Sequence, residues 1–265
     1  GPVDPTQPDQ IPDGWSVVEY VGNGAKEANV RYFVKQNSQH TVEANKFTRE
    51  GHVFSRWTDK QIDAAATPAT MYKMGDRLAV GTEQKYQLFA QWFKLDNDNI
   101  IVPGKDGKLD PATDNVTIKP NPDKPNEKPS VDENGNVKVP EGGQVETPDN
   151  GTVIPPHPSV VKPDGTIVGP DGNEINPANP GDKYVTITYE PGEGSGKAIK
   201  QIIAKDGNTT ALKNSFTAPS GKTFEYWKNE AAADETYNGG DPITAVAANK
   251  TLTAQWVLAG ELKYK

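Results

Sequence analysis

The sequence has 265 residues and no cysteine, with 25 glycines, 23 prolines and a formal net charge of −8 at pH 7. The absence of cysteine excludes a disulfide framework, a thiolate metal site and a cysteine nucleophile. The sequence has no run of 18 apolar residues, and its basic residues form no cluster, so membrane insertion and nucleic-acid binding are not expected.

The chain opens with residues 1–12, whose Gly1-Pro2 start is typical of a protease-cleavage remnant. We assign them to that remnant and a linker, and predict a first module over residues 13–93. The opening strand of this module ends at Tyr20, and a second strand is expected around Val30–Val34 after a glycine-rich turn. The module is therefore predicted to begin with a β-hairpin.

Residues 94–182 differ in composition from both flanks. They contain no aromatic residue, 15 of the 23 prolines, and 16 acidic residues against 8 lysines, which accounts for the whole net charge. Such a segment repels itself and favours extended chain, so an acidic Pro/Gly-rich spacer is predicted. Over about 131–177, short β-branched runs flank four dipeptides that favour hairpins: Asn134-Gly135, Asn150-Gly151, Asp164-Gly165 and Asp171-Gly172.

A second module is predicted over residues 183–258, and residues 259–265 are a tail or the start of a further module. The two flanks share seven features in the same order. These are a strand ending in Tyr (Tyr20, Tyr189), a glycine-rich turn (Gly22–Gly24, Gly192–Gly194), a Phe (Phe47, Phe216), Phe-x-x-Trp (Phe54–Trp57, Phe224–Trp227), a Tyr (Tyr72, Tyr237), Gly-Asp (Gly75-Asp76, Gly240-Asp241) and a closing Leu-x-Ala-Gln-Trp (Leu88–Trp92, Leu252–Trp256). The ordered matches indicate one folding pattern that occurs twice.

These motifs resemble the Listeria-Bacteroides repeat, also called the internalin B-repeat. The resemblance covers residues 15–92 and 184–256 and leaves the middle segment unaccounted for. It implies a small β-grasp-like fold, carried in tandem on secreted or wall-attached bacterial surface proteins, usually adhesins. The first copy departs from the pattern at Asp63–Thr70, an alanine-rich insertion ahead of Tyr72.

The expected fold class is α+β to mainly β, with two small β-grasp-like modules joined by an extended Pro/Gly-rich segment with short β-hairpins. Short helical pieces fit near Thr41–Lys46 and Thr209–Asn214, between the second strand of each module and its Phe-x-x-Trp strand. Each module would have about 75 to 80 residues, a size at which one core is just sufficient.

No enzyme motif is complete in the sequence. Gly192–Lys197 has three residues between Gly192 and Gly196 and is followed by Ala198, whereas a phosphate loop needs four residues and a hydroxyl residue after its lysine. Ser195 lies outside a nucleophile elbow, and the three histidines are scattered: His40, His52 and His157. We therefore predict no enzymatic activity, no catalytic or metal site and no cofactor.

Two further groups of residues are open to a second interpretation. The carboxylates of Asp96–Asn99 and Asp171–Glu174 are typical of solvated turns. The spacing of an EF-hand calcium loop is not met from Asp96, so the alternative is a looser calcium site that rests on the oxygen ligands alone. Four tryptophans occupy equivalent strand positions, which favours core packing over stacking on sugars: Trp57, Trp92, Trp227 and Trp256. Trp15 has no counterpart and is expected to be exposed.

The sequence therefore predicts a non-enzymatic spacer or stalk fragment of a Gram-positive-type cell-surface adhesin. Such a fragment would lie outside the cell and project a binding region from the cell wall. The alternative is a ligand-binding module that recognises a host glycoprotein or polysaccharide, with its binding residues unknown. A monomer is expected.

Overall fold

The computed structural model describes residues 10–61, 69–110 and 112–260. These residues form 23 β-strands and no helix. The first twelve strands are β1 Trp15–Val21, β2 Val30–Lys35, β3 Ser38–Thr41, β4 His52–Thr58, β5 Met71–Tyr72, β6 Arg77–Val80, β7 Lys85–Asp96, β8 Asn99–Val102, β9 Val116–Lys119, β10 Ser130–Val131, β11 Val137–Val139 and β12 Gln144–Thr147. The others are β13 Gly151–Ile154, β14 Ser159–Val161, β15 Ile167–Val168, β16 Glu174–Ile175, β17 Tyr184–Glu190, β18 Ile199–Ala204, β19 Gly207–Thr210, β20 Lys222–Asn229, β21 Thr236–Tyr237, β22 Pro242–Val246 and β23 Lys250–Leu258.

The predicted fold class is wrong, because the described residues are all-β and the largest sheet is a mixed sheet of 14 strands rather than part of α+β, β-grasp-like modules. The helical pieces expected at Thr41–Lys46 and Thr209–Asn214 do not form. Thr41 and Thr210 end strands β3 and β19, and irregular chain follows each. Six residues make too few intrahelical hydrogen bonds to offset the cost of nucleating a helix.

Contacts divide the chain into two compact units. Unit 1 consists of the described residues up to Val116 together with Pro129–Lys138 and Val161–Gly165. Unit 2 consists of Thr117–Lys128, Val139–Val160 and the described residues from Thr166 onwards. Parts of the predicted spacer thus belong to each unit.

In unit 1, the strands that open and close the first repeat lie side by side. β1 pairs antiparallel with β2 and parallel with β7, and Tyr20 lies opposite Leu88. β7 pairs antiparallel with β4, with a bulge between Phe54 and Arg56. Alternate residues of these strands enclose Trp57, whose exposed fraction is 1%.

Unit 2 repeats this arrangement strand for strand. β17 pairs antiparallel with β18 and parallel with β23, and Tyr189 lies opposite Leu252. β20 pairs antiparallel with β23, with a bulge between Phe224 and Tyr226. The core of this unit encloses Trp227, which is also 1% exposed. The repeat found in the sequence is therefore a repeat of strand order and register.

The middle of the chain is folded rather than extended, which corrects the predicted extended segment. The short hairpins predicted there are confirmed at Asn134-Gly135, Asn150-Gly151 and Asp171-Gly172. β12 pairs antiparallel with β9 and with β13, and β13 pairs parallel with β18. Ile118, Val145 and Val153 are fully buried in this part of unit 2. These three buried residues are β-branched, and such side chains pack well on a pleated surface. The lack of aromatic residues was therefore a poor indicator of extended chain.

Candidate functional site

The two cores share one arrangement of aromatic rings. Tyr20 and Trp57 pack edge to face with ring centroids 4.9 Å apart at 77°, and Tyr189 and Trp227 do so at 4.9 Å and 76°. The indole nitrogen of Trp57 donates to the backbone oxygen of Glu43 at 3.2 Å, and that of Trp227 donates to Leu212 at 2.7 Å. These bonds hold the irregular chain where helices were expected. A buried indole N–H group needs an acceptor. Here the acceptors are backbone oxygens that a helix would have used for its internal hydrogen bonds.

The closing-strand tryptophans are likewise occupied within the fold. Trp92 is 6% exposed and donates from its indole nitrogen to the Gly22 oxygen at 2.9 Å. Trp256 is partly buried against the unit 2 core and donates to the Pro191 oxygen at 2.8 Å. The preference for core packing over sugar stacking is confirmed for these two residues, as it is for Trp57 and Trp227. Trp15 is 40% exposed, as expected.

A buried polar group distinguishes the two cores. The hydroxyl of Tyr20 hydrogen-bonds Nε2 of His40, and the ring of Tyr32 lies 5.7 Å from that of Tyr20. At the corresponding place in unit 2, the Tyr189 hydroxyl donates to Oε1 of Gln201 at 2.9 Å, and Gln201 donates to Thr209. Burial raises the pKa of Tyr20 to about 12 and lowers the pKa of His40 below 6.5.

The opposite face of β1 carries a buried carboxylate. The Glu19 side chain is 4% exposed and accepts from Nε of Arg31 at 2.6 Å and from Gln87 at 2.8 Å, with Nζ of Lys85 at 3.3 Å. Burial by itself would raise the pKa of Glu19, but the hydrogen bonds from Gln87, Arg31 and Lys85 outweigh it and lower the pKa. Sequence reasoning missed this cluster because its members lie far apart along the chain. Its hydrogen-bonding capacity is used internally, so it serves the fold.

The loop that resembles a phosphate loop is a structural turn. The backbone of Ser195 exchanges two hydrogen bonds of 2.9 Å with Thr217, and a Cβ at Gly196 would lie 2.7 Å from the Phe216 ring. Two amides of this loop are thus already satisfied, since Gly194 also donates to Pro191. This arrangement fits a packed turn better than a cradle for phosphate.

The other candidate residues are dispersed among the described residues. His40 lies in a core, whereas His52 bonds through Nδ1 to the backbone oxygen of Glu50 at the surface. Asp96 and Asn99 face each other in the turn between β7 and β8. Asp171 accepts from the Asn173 amide and pairs with Lys183. Across the described ranges, no group of three or more histidine or acidic side chains could hold a metal ion.

Some predicted features lie outside the described residues. These are residues 1–9, most of the alanine-rich insertion (62–68), and the end of the tail (261–265). In the part of the chain that is described, no helix is long and apolar enough to cross a bilayer.

Unit 1 contains a cleft of about 570 Å³ beside the bulge of β4. Arg56 lies in its wall, next to Ser55 and Gln91. The turn between β10 and β11 forms one side, where the Ser55 hydroxyl donates to the Gly135 oxygen at 2.8 Å. Lys105 and Lys162 line the cleft from two other loops. Burial lowers the pKa of the Arg56 guanidinium, against the opposing effect of Asp164 and Asp132.

A second cleft, of about 540 Å³, lies on the sheet of unit 2. Its floor includes Thr186, Thr188 and Thr251, with Lys200 beside them. Nζ of Lys200 approaches Oδ1 of Asn150 at 3.4 Å, and the cleft's other lysine, Lys250, pairs with Glu235 at 2.9 Å. The cleft is polar and largely self-neutralised, which makes it a weaker candidate for charged ligands than the cleft around Arg56.

No protein-family model, no curated protein and no solved structure matches the chain. The resemblance to the Listeria-Bacteroides repeat therefore stays a prediction from the sequence motifs.

Proposed function

We propose that the chain is a non-enzymatic, load-bearing stalk segment of a bacterial cell-surface adhesin, which holds a binding region away from the cell wall. The observation that carries this proposal is the parallel pairing of the first and last strands of each repeat. The surface location rests on the resemblance of the sequence motifs.

In unit 2, the parallel pair joins Ile187–Glu190 of β17 to Lys250–Thr253 of β23. β17 enters the repeat at one end of this ladder, and β23 leaves it at the other. Tension applied through the chain therefore acts along both strands in opposite directions. The inter-strand hydrogen bonds are evenly spaced in a parallel ladder, so they share this load and must break together.

Unit 1 has the same feature. Its ladder joins Val17–Val21 of β1 to Lys85–Phe89 of β7. The buried Trp57 packs directly beneath, in contact with Tyr20 of the ladder. Separating the strands thus also exposes apolar surface to water, which raises the barrier to forced unfolding.

Single-molecule pulling tests the proposal, because the chain has no cysteine and introduced cysteines define the attachment points. The pair Asp182→Cys and Gly260→Cys loads the β17–β23 ladder in shear. The pair Asp182→Cys and Ala248→Cys attaches at the same end of both strands and opens the ladder one bond at a time. All three positions are exposed.

We expect a several-fold higher unfolding force for the shear pair than for the opening pair. In unit 1, the pair Asp13→Cys and Asn97→Cys applies the shear geometry, and the pair Asp13→Cys and Glu83→Cys applies the opening geometry. Equal forces in the two geometries, in both units, would contradict a load-bearing role.

A further inference from the structure

We propose that the cleft around Arg56 in unit 1 is a binding site for the carboxylate of an acidic sugar. This inference goes beyond the stalk function, which needs no ligand. It rests on an arginine that no described residue pairs with, on the cations that surround it and on the size of the cleft.

Arg56 is the first part of the argument. No hydrogen bond or ion pair joins its guanidinium to another described residue. Arg56 is only partly buried, so part of its side chain is open to solvent. Because Arg56 lines the cleft, that opening is the cleft itself. A half-buried guanidinium without an acceptor is costly, and an incoming acceptor relieves the cost.

The cleft is built rather than incidental. Gly135 has φ of +79°, and a Cβ at this residue would lie 2.9 Å from Cδ of Arg56 and 2.9 Å from Oγ of Ser55. Only glycine lets the β10–β11 turn approach β4 so closely. The turn therefore holds the stem of Arg56 in place, which fixes the guanidinium before a ligand arrives.

Charge favours an anionic ligand. Arg56, Lys105 and Lys162 line the cleft, against the single carboxylate of Asp164 in its wall. Lys105 and Asp164 each have an interaction partner already, so Arg56 and Lys162 are the cations that would meet an anionic ligand. Asp132 lies nearby, but its Oδ1 accepts from the amides of Asn134 and Asn136 at 2.9 Å. A planar guanidinium matches a carboxylate through two parallel hydrogen bonds, which the ammonium of a lysine cannot make.

The remaining lining favours a sugar acid over an acidic peptide. A volume of about 570 Å³ is that of a small-ligand pocket, whereas peptides and proteins bind in longer grooves or on flatter surfaces. Asn134 and Asn136 line the cleft and carry side-chain amides that can hydrogen-bond to hydroxyl groups of a sugar, whereas the Gln91 amide already donates to Thr58 at 2.8 Å. Met71 and Pro103 supply apolar wall for the C–H face of a ring.

The chain offers its own reference for the experiment. Tyr226 takes the place of Arg56 in unit 2, since Arg56 pairs with Gln91 and Tyr226 with Gln255 immediately after the same bulge. Arg56→Tyr therefore introduces a side chain that this scaffold already accommodates. Arg77→Tyr removes the same charge from an exposed position outside the cleft and serves as the matched control.

The test is a titration of the full chain with glucuronic acid, followed by the indole N–H resonances of Trp92 and by calorimetry. The comparison probes are glucose, inorganic phosphate and a glutamate-containing dipeptide amide. We expect saturable glucuronate binding that Arg56→Tyr weakens at least about tenfold, as loss of one charge-assisted bidentate contact implies, and that Arg77→Tyr leaves unchanged. Arg56→Lys retains the charge, so its affinity for glucuronate should lie between those of the unaltered chain and of Arg56→Tyr. This variant still tests the proposal if Arg56→Tyr fails to fold.

Any of the following results would overturn the proposal. These are equal binding of glucose, tighter binding of phosphate or of the glutamate peptide, and binding of glucuronate that survives both changes at Arg56. Lack of any glucuronate binding by the unaltered chain would also overturn it.

Discussion

Replacing Gly135 by alanine should destabilise unit 1 by more than its backbone conformation accounts for. At φ of +79°, a non-glycine residue costs about 1 kcal/mol. The added Cβ would also lie 2.9 Å from Ser55 and Arg56, and forcing a methyl group into a packed site costs about 1–3 kcal/mol. The turn must therefore shift, which weakens the bond from Ser55 to the Gly135 oxygen. We expect a total loss of about 2–4 kcal/mol in the free energy of unfolding.

Gly172 provides the control, because it has φ of +81° in a similar turn and no atom lies within 4 Å of the position that an added Cβ would take. Gly172→Ala should cost about 1 kcal/mol, from backbone conformation alone. Urea unfolding followed by the separate indole N–H resonances reports unit 1 through Trp57 and Trp92, and unit 2 through Trp227. If both substitutions lower stability equally, the close packing of the β10–β11 turn on β4 has no energetic role, and the reasoning is refuted.

Three further predictions concern the buried polar groups. Burial lowers the pKa of His40, so as pH falls from 6.5 the unfolded chain takes up a proton on this histidine before the folded chain does. The stability of unit 1 should therefore decrease as pH falls from 6.5 towards the pKa of folded His40. The double change Tyr32→Gln with His40→Thr, which copies unit 2, should remove this pH dependence in urea unfolding. Glu19→Gln removes the carboxylate that Arg31 pairs with and should cost about 2 kcal/mol by the same assay, the range for a hydrogen bond between charged groups; Glu50→Gln at the surface should have no measurable effect. Trp57→Phe should cost about 2–4 kcal/mol from lost volume and an unpaired Glu43 oxygen, and a loss below about 1 kcal/mol in thermal unfolding would contradict that packing.

Most of the strand framework could be predicted from the sequence. Alternation at Val18 and Tyr20 and at Leu252 and Ala254 marks strands, and their inward residues are buried. Asn150-Gly151 lies at the turn between β12 and β13, because glycine accepts the positive φ that this hairpin requires. The ordered matches between the flanks also placed Trp57 and Trp227 at equivalent positions, where both are buried.

The helical pieces and the extended middle segment could not be excluded by local patterns. Residues after Thr41 lack a strand pattern, and only the distant side chains of Tyr20 and Trp57 determine where that backbone runs. The few apolar residues of the middle segment gave no sign that Val145 and Val153 would be buried by pairing with remote strands. Long-range pairing decides both cases, and no window of sequence contains it.

The candidate site was beyond the sequence for a similar reason. Arg56 is one of four scattered arginines, and nothing in its neighbourhood along the chain differs from an ordinary exposed strand residue. Its setting depends on Gly135 and Pro163, which are contributed by segments far away in the chain. The exchange of Arg56 for Tyr226 between the repeats was the only available signal.

The parallel contact of β13 with β18 has a practical consequence for anyone cloning the second repeat. A fragment that starts at residue 183 would lack Gly151–Ile154 and would leave the outer backbone amides and carbonyls of Ile199–Gln201 bare. An unpaired edge strand can form hydrogen bonds with strands of other molecules, so such a fragment should precipitate or form fibrils at concentrations at which the longer chain stays in solution.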